Sequence, residues 1–226
     1  MDAGNTAMIL APFLEGMKEA GADVELLYTK KLNIAPCNGD MSCWFGHPGE
    51  CGMKDDMQAV LAKIGKADIL VWASPVYYSG ITGPLKNFMD RQLPMHMLGE
   101  EQGGQRKKVV LVSTCGAWEM DMFDPLLVQM NAIYKRPDGG SDFAGALLRP
   151  HAEAMKEFIK AGETRQTDGV IQAAREAGRQ LVKEGRISEE ILGDVSRPLI
   201  SQEVYYKAAA EQLSQAKESL KNRLSS

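Results

Sequence analysis

The chain of 226 residues carries 44% hydrophobic and 25% charged residues, an ordinary globular balance with enough apolar mass for one sizeable core. A net charge of -4 and a pI near 5.5 exclude a phosphate-binding face of clustered Lys and Arg, and with it nucleic acid or an anionic membrane as partner. No apolar run reaches the roughly 20 residues a bilayer span needs, and no basic-then-apolar leader opens the chain, so a cytoplasmic location is expected.

In chain order, apolar stripes at helical spacing alternate with short aliphatic runs, the pattern of helices laid on both faces of a parallel sheet. The first helix is predicted over 5–20, with Ile9, Leu10, Phe13, Leu14 and Met17 on one face, Gly21 just past its end and a kink at Pro12. Residues 23–29 (DVELLYT) read as a strand near the sheet edge. A cysteine-bearing loop follows, then a helix over 55–66, a buried strand over 68–73 (DILVWA) and a helix over 83–91 with Pro84 in its first turn. Further strands are predicted at 107–113 (KKVVLVS) and 142–148 (DFAGALL), with a short helix at 125–133 between them. Helices at 152–161, 168–184 and 202–224 complete the chain, separated by Gly162, Gly185 and Pro198. The division expected is an α/β domain over 1–162 and a helical extension over 163–226 that packs on the domain or on a partner subunit.

Four strands result, and no aliphatic run precedes the first helix. In the doubly wound order 2-1-3-4-5 the first strand lies between the second and the third and feeds the phosphate loop into the first helix. Its loss would leave buried backbone groups of both neighbours unpaired, at roughly 1–3 kcal/mol per group. The expectation is that the start is mis-assigned or truncated, or that another segment fills the gap.

Two loops follow buried strands directly, at the carboxyl edge where open α/β sheets bind ligands. Ser74, Pro75, Val76, Tyr77, Tyr78 and Gly80 form the first, with two aromatics and several backbone N–H groups suited to a flat heteroaromatic ring. Thr114, Cys115 and Gly116, with Trp118 beyond, form the second, and Gly116 admits close backbone approach. Cys115 reads as a small buried hydrophobe rather than a nucleophile, because nothing near it in sequence would stabilise a thiolate. Gly4, Asn5 and Thr6 open the first helix, where first-turn N–H groups and the dipole favour a phosphate, although Asn5 as a plain N-cap explains the same residues.

Taken with Pro36-Cys37, the run 54–57 (KDDM) and Asp90-Arg91, these motifs resemble in order and spacing the NADPH-dependent FMN reductase family and its iron-sulfur flavoprotein branch, over roughly 4–150. The resemblance implies a flavodoxin-like, three-layer α/β/α doubly wound fold lacking its first strand. It implies FMN as cofactor, its phosphate on Asn5 and Thr6, its ring on residues 75–78 and its other side lined by 114–116, with NAD(P)H as electron donor. The iron-sulfur branch implies four clustered cysteines where this chain has Cys37, Asp40, Cys43 and Cys51. Asp40 in place of a thiolate leaves three readings, namely an Asp-ligated cluster, a three-iron or labile cluster, or none, and the last is preferred because such clusters take four cysteines. His47 would complete a Cys3His zinc set, but the spacing matches no familiar zinc pattern.

The activity expected is NAD(P)H-driven reduction of FMN with delivery to a flavin, a quinone, or another small or protein acceptor, in a homodimer or homotetramer. The alternatives are an iron-sulfur electron carrier without nicotinamide use and a non-catalytic flavodoxin-like scaffold.

Overall fold

The structure, a computed structural model, describes residues 4–95, 106–135 and 140–224. Ile69–Pro75 (β1), Lys107–Thr114 (β2) and Ser141–Arg149 (β3) form one parallel sheet in the order β1-β2-β3. β2 is buried on both faces: Val110 and Val112 turn into one core, Val109 and Leu111 into the other, as expected for an aliphatic strand covered by helices on each side. The register of β3 slips by one residue at Gly145, whose φ of 141° suits only glycine.

Asn5–Glu19 (α1) runs unbroken through Pro12 and packs with Asp168–Glu184 (α7) on one face of the sheet. Gly16 and Gly178 lie where the two helices cross, and Arg179 Nε donates to Glu19 at 2.9 Å alongside. The other face is covered by Met57–Lys66 (α3), Gly83–Asp90 (α4) and Asp124–Tyr134 (α5). Ala152–Ala161 (α6) follows β3 and sends Met155 into the α1 core. A short helix, Ser42–Phe45 (α2), interrupts the cysteine loop.

Glu189–Ser196 (α8) is absent from the expectation, although Ser188 caps it by accepting from the Ile191 N–H and two acids fill its first turn. Both α7 and α8 bury side chains in the sheet's own core, Val170, Ala174 and Val195 among them. Gln202–Leu224 (α9) meets the domain near its start, where the Tyr205 hydroxyl donates to Gly116 O at 2.8 Å.

The predicted strand at 23–29 is corrected by the structure: these residues form none. A strand exists by pairing, and the place beside 22–28 where a partner would lie is a cavity that also runs along β1. No described segment fills it.

Candidate functional site

β1 and β2 end side by side, Pro75 against Thr114, and Val76 N–H donates to Thr114 O at 2.8 Å. The start of α1 closes on the same point through a 2.8 Å hydrogen bond between the Thr6 and Thr114 hydroxyls. A cavity of about 1180 Å3 opens there and extends along β1. Of the residues predicted from sequence, Asn5, Thr6, Pro75, Val76, Tyr77, Thr114, Cys115 and Gly116 line it.

Three others do not. Ser74 is buried beneath the cavity, where its hydroxyl donates to Pro75 O and accepts from Thr82 N–H. Tyr78 points fully into solvent, and Gly80 closes a tight turn with Tyr77 through reciprocal bonds of 2.9 and 3.0 Å. That turn holds Tyr78 and Ser79 at φ of 49° and 57°, the geometry a two-residue hairpin needs and one that non-glycine residues adopt at a cost. The loop therefore spends most of the amides expected to serve a ligand: Val76, Tyr77 and Gly80 N–H are all bonded within the protein.

Asn5 is not the cap of α1. Gly4 holds that position, and the Asn5 amide donates instead to Glu153 Oε1 at 2.8 Å. Glu153, from the first turn of α6, also lies against Gly116, so a carboxylate occupies the mouth beside the α1 N-terminus. Sequence reasoning missed it because the segment after β3 reads as tail, whereas the rule that ligands gather at strand ends applies to β3 as well. Ala7 N–H already donates to Gly4 O at 2.9 Å, so the N–H groups of Asn5 and Thr6 at the start of α1 remain the anion-binding feature of this corner. Burial pushes the Cys115 thiol up to about 11, so it stays protonated at neutral pH.

Behind the second loop lies a buried cationic brace that the sequence did not signal. Arg149 is wholly buried, and its guanidinium donates to the carbonyls of Pro150, Val195 and Arg197 and to His151 Nε2. It thereby caps the carbonyl end of α8. His151 sits at φ 38°, held by its N–H on Ala117 O at 2.7 Å and by stacking on Trp118 at 4.7 Å between centroids.

Burial, reinforced by Arg149, pushes the His151 imidazole down to about 4. A depressed native value contributes stability that is complete above the unfolded value of about 6.5 and is lost as pH falls toward the native one. Urea unfolding should therefore show the parent losing roughly 2–3 kcal/mol more than His151→Gln between pH 7 and 4. Parallel pH profiles for the two proteins would refute that role.

The cysteine loop is anchored from below. Asp55 accepts two hydrogen bonds from Arg91, at 2.7 and 3.1 Å, and one each from Ala35 and Met57 N–H at 3.0 Å. Burial works against the Asp55 carboxylate, yet Arg91 and these amides hold it below the usual range. Arg91 also donates to Ala35 O at 2.8 Å and to Cys51 Sγ at 3.4 Å. Cys37 is exposed, Cys43 is buried, and Asp40 is bonded to Ser42 N–H at 2.8 Å as a local turn acceptor. Among the described residues no three His, Cys, Asp or Glu side chains are gathered as a metal would need, so the loop as folded does not fit a cluster.

Residues 2–136 match the family described as NADPH-dependent FMN reductase. An iron-sulfur flavoprotein of Archaeoglobus fulgidus is 36% identical over 87 residues, covering 38% of this chain and 42% of the relative. The chain spans less than half the length of the first curated relatives it matches. Among solved structures, an FMN-dependent NADH-azoreductase of Bacillus anthracis in complex with FMN superposes with a TM-score of 0.56 at 14% identity, covering 81% of this chain and 94% of that one. An NAD(P)H:quinone oxidoreductase from Methanothermobacter marburgensis does so at 0.54 and 18% identity, over 80% and 92%. At such identities the likeness concerns the fold alone.

Proposed function

We infer that this chain, which belongs to the NADPH-dependent FMN reductase family, is an FMN-dependent oxidoreductase that uses NAD(P)H to reduce a flavin, a quinone, or another small or protein acceptor. The observation that carries the reading is the convergence of the α1 N-terminus and the two strand-ending loops at one carboxyl edge, lining one cavity. FMN, when bound, would take a hydride from the nicotinamide and pass two electrons on.

The protein's share is placement. The Asn5 and Thr6 N–H groups of α1 and the Thr6 hydroxyl would receive the phosphate, and Pro75, Val76 and Tyr77 would support one side of the ring. Thr114 and Gly116 would line the other, where the missing Cβ of Gly116 leaves room beside Glu153. Absorbance and fluorescence titration with FMN, followed by NADPH, tests this reading. Saturable uptake and bleaching of the flavin bands are expected, and a protein that takes up no FMN would dispose of it.

Glu153 opposes the phosphate in this arrangement, because its carboxylate holds the Asn5 amide that the phosphate would use. Glu153→Gln is therefore expected to tighten FMN binding about fivefold, roughly 1 kcal/mol, and to leave riboflavin unchanged. An equal gain for riboflavin would place the phosphate elsewhere.

A second reading, an iron-sulfur electron carrier, draws on the relatives' name and would require the cysteine loop to rearrange before it could gather a cluster's ligands. Iron analysis of anaerobically prepared protein separates the two. Assembly as a homodimer or homotetramer, with Leu213, Leu220 and Leu224 of α9 exposed in the single chain, is the oligomeric arrangement proposed, and light scattering reads it.

A further inference from the structure

In the second loop of the site, four successive carbonyls each accept a hydrogen bond from the protein. Val76 N–H donates to Thr114 O at 2.8 Å, Ala152 N–H to Cys115 O at 3.0 Å, the Tyr205 hydroxyl to Gly116 O at 2.8 Å and His151 N–H to Ala117 O at 2.7 Å. A trans peptide sets its N–H opposite its C=O, so the bond from Ala152 turns the Gly116 N–H the other way. Among the described residues that N–H meets no protein acceptor, and Gly116 is exposed on the cavity. Three of the four donors come from beyond residues 2–136, the part that matches the family.

The donor to Gly116 is the one side chain among them, brought from α9 across 89 residues. The buried brace aims it. Arg149 donates to Val195 O and Arg197 O, and Leu199 N–H donates to His151 Nε2 at 3.3 Å, which fixes the chain leading into α9. Ser201 then opens the helix, its hydroxyl accepting from Val204 N–H at 3.3 Å and its carbonyl from Tyr205 N–H at 3.0 Å. Tyr205 meets Trp118 at 5.8 Å between ring centroids, and the next residue, Tyr206, donates to Glu119. α9 thus brings two hydroxyls to one loop, while none of its described side chains is buried in the core. Burial and the Glu119 carboxylate hold the Tyr205 pKa above the ordinary tyrosine value, so its hydroxyl is a donor at neutral pH.

We propose that Tyr205 is a positioning residue of the ligand site: by holding the Gly116 carbonyl on α9 it keeps the loop presenting N–H donors, and so favours a ligand edge that carries acceptors or negative charge. Released, the Gly116–Ala117 peptide could turn its oxygen toward the ligand, where the lone pairs repel such an edge. For the ligand's identity the proposal rests on the FMN reading, in which the reduced, anionic ring gains most from the donors. The hold on the loop does not depend on it.

The test compares the full chain with Tyr205→Phe, Tyr205→Ala and, as an exposed change in the same helix, Lys207→Ala. Without ligand, hydrogen–deuterium exchange of the 115–119 amides should quicken about fivefold in both Tyr205 variants, the worth of one neutral hydrogen bond, and keep the parental rate in Lys207→Ala. Both Tyr205 variants should also bind oxidised FMN about fivefold and reduced FMN about twentyfold more weakly, seen as a lowered midpoint potential that lost packing alone would not give. Parental exchange in Tyr205→Phe overturns the proposal, because the ring without its hydroxyl then suffices. Equal losses for the two redox states overturn it too, as does faster exchange with unchanged affinity, which would put the loop outside the site. A parent that takes up no FMN would dispose of the functional reading instead, and the exchange of Tyr205→Phe would still uphold or overturn the hold on the loop.

Discussion

Replacing Arg91 by Ala is expected to destabilise the protein by about 3–5 kcal/mol, read by urea denaturation at neutral pH. The magnitude comes from what is left behind. Asp55 is 6% exposed and Arg91 1% exposed, so removing the guanidinium strands a carboxylate away from water with only two backbone N–H donors. The same change frees Ala35 O and Cys51 Sγ, so protection of the cysteine loop should fall with it. Replacing both partners by apolar residues of similar volume should recover most of the loss, because an apolar pair leaves no unpaired charge. A single-variant cost below about 1 kcal/mol, typical of surface ion pairs, would show that water reaches Asp55.

Gly178→Ala is expected to cost about 3 kcal/mol, at the upper end for overpacking, because a methyl there would fall inside the van der Waals envelope of the Phe13 carbonyl oxygen. A side chain could rotate aside, but this obstacle is the backbone of α1, so relief requires α1 and α7 to separate. Those helices meet on the same core as Ile9, Phe13 and Met17, and separation would open it. Gly65→Ala in α3 is the control: no atom lies within 4 Å of the added carbon, and the helix should gain a few tenths of a kcal/mol. Thermal unfolding of the pair reads the contrast, and similar melting temperatures for the two variants would mean that the helix crossing yields without cost.

The candidate site was legible to the extent that position along the sheet decides it. The loops after β1 and β2 are identified by the aliphatic runs that precede them, and eight of the residues named from sequence line one cavity. Sequence could not tell that Tyr78 turns outward or that Ser74 is spent on Thr82, since both depend on a turn whose hydrogen bonds close locally. Nor could it place Glu153 beside Asn5, 148 residues away, because that meeting depends on how β3 enters α6.

What the sequence determined by itself is the set of elements whose identity is local. Aliphatic runs became β1, β2 and β3, and the helices at Ala152–Ala161, Asp168–Glu184 and Gln202–Leu224 end where Gly162 and Gly185 adopt the left-handed conformation, or begin after Pro198. Only the tertiary structure decided the remainder: that Asp55 and Arg91 pair, that Arg149 caps α8, and that residues 23–29, strand-like in composition, form no strand. The physical reason is common to all three. A helix completes its hydrogen bonds within its own segment, whereas a strand, a buried charge and a carbonyl end each need a partner that the local sequence does not contain.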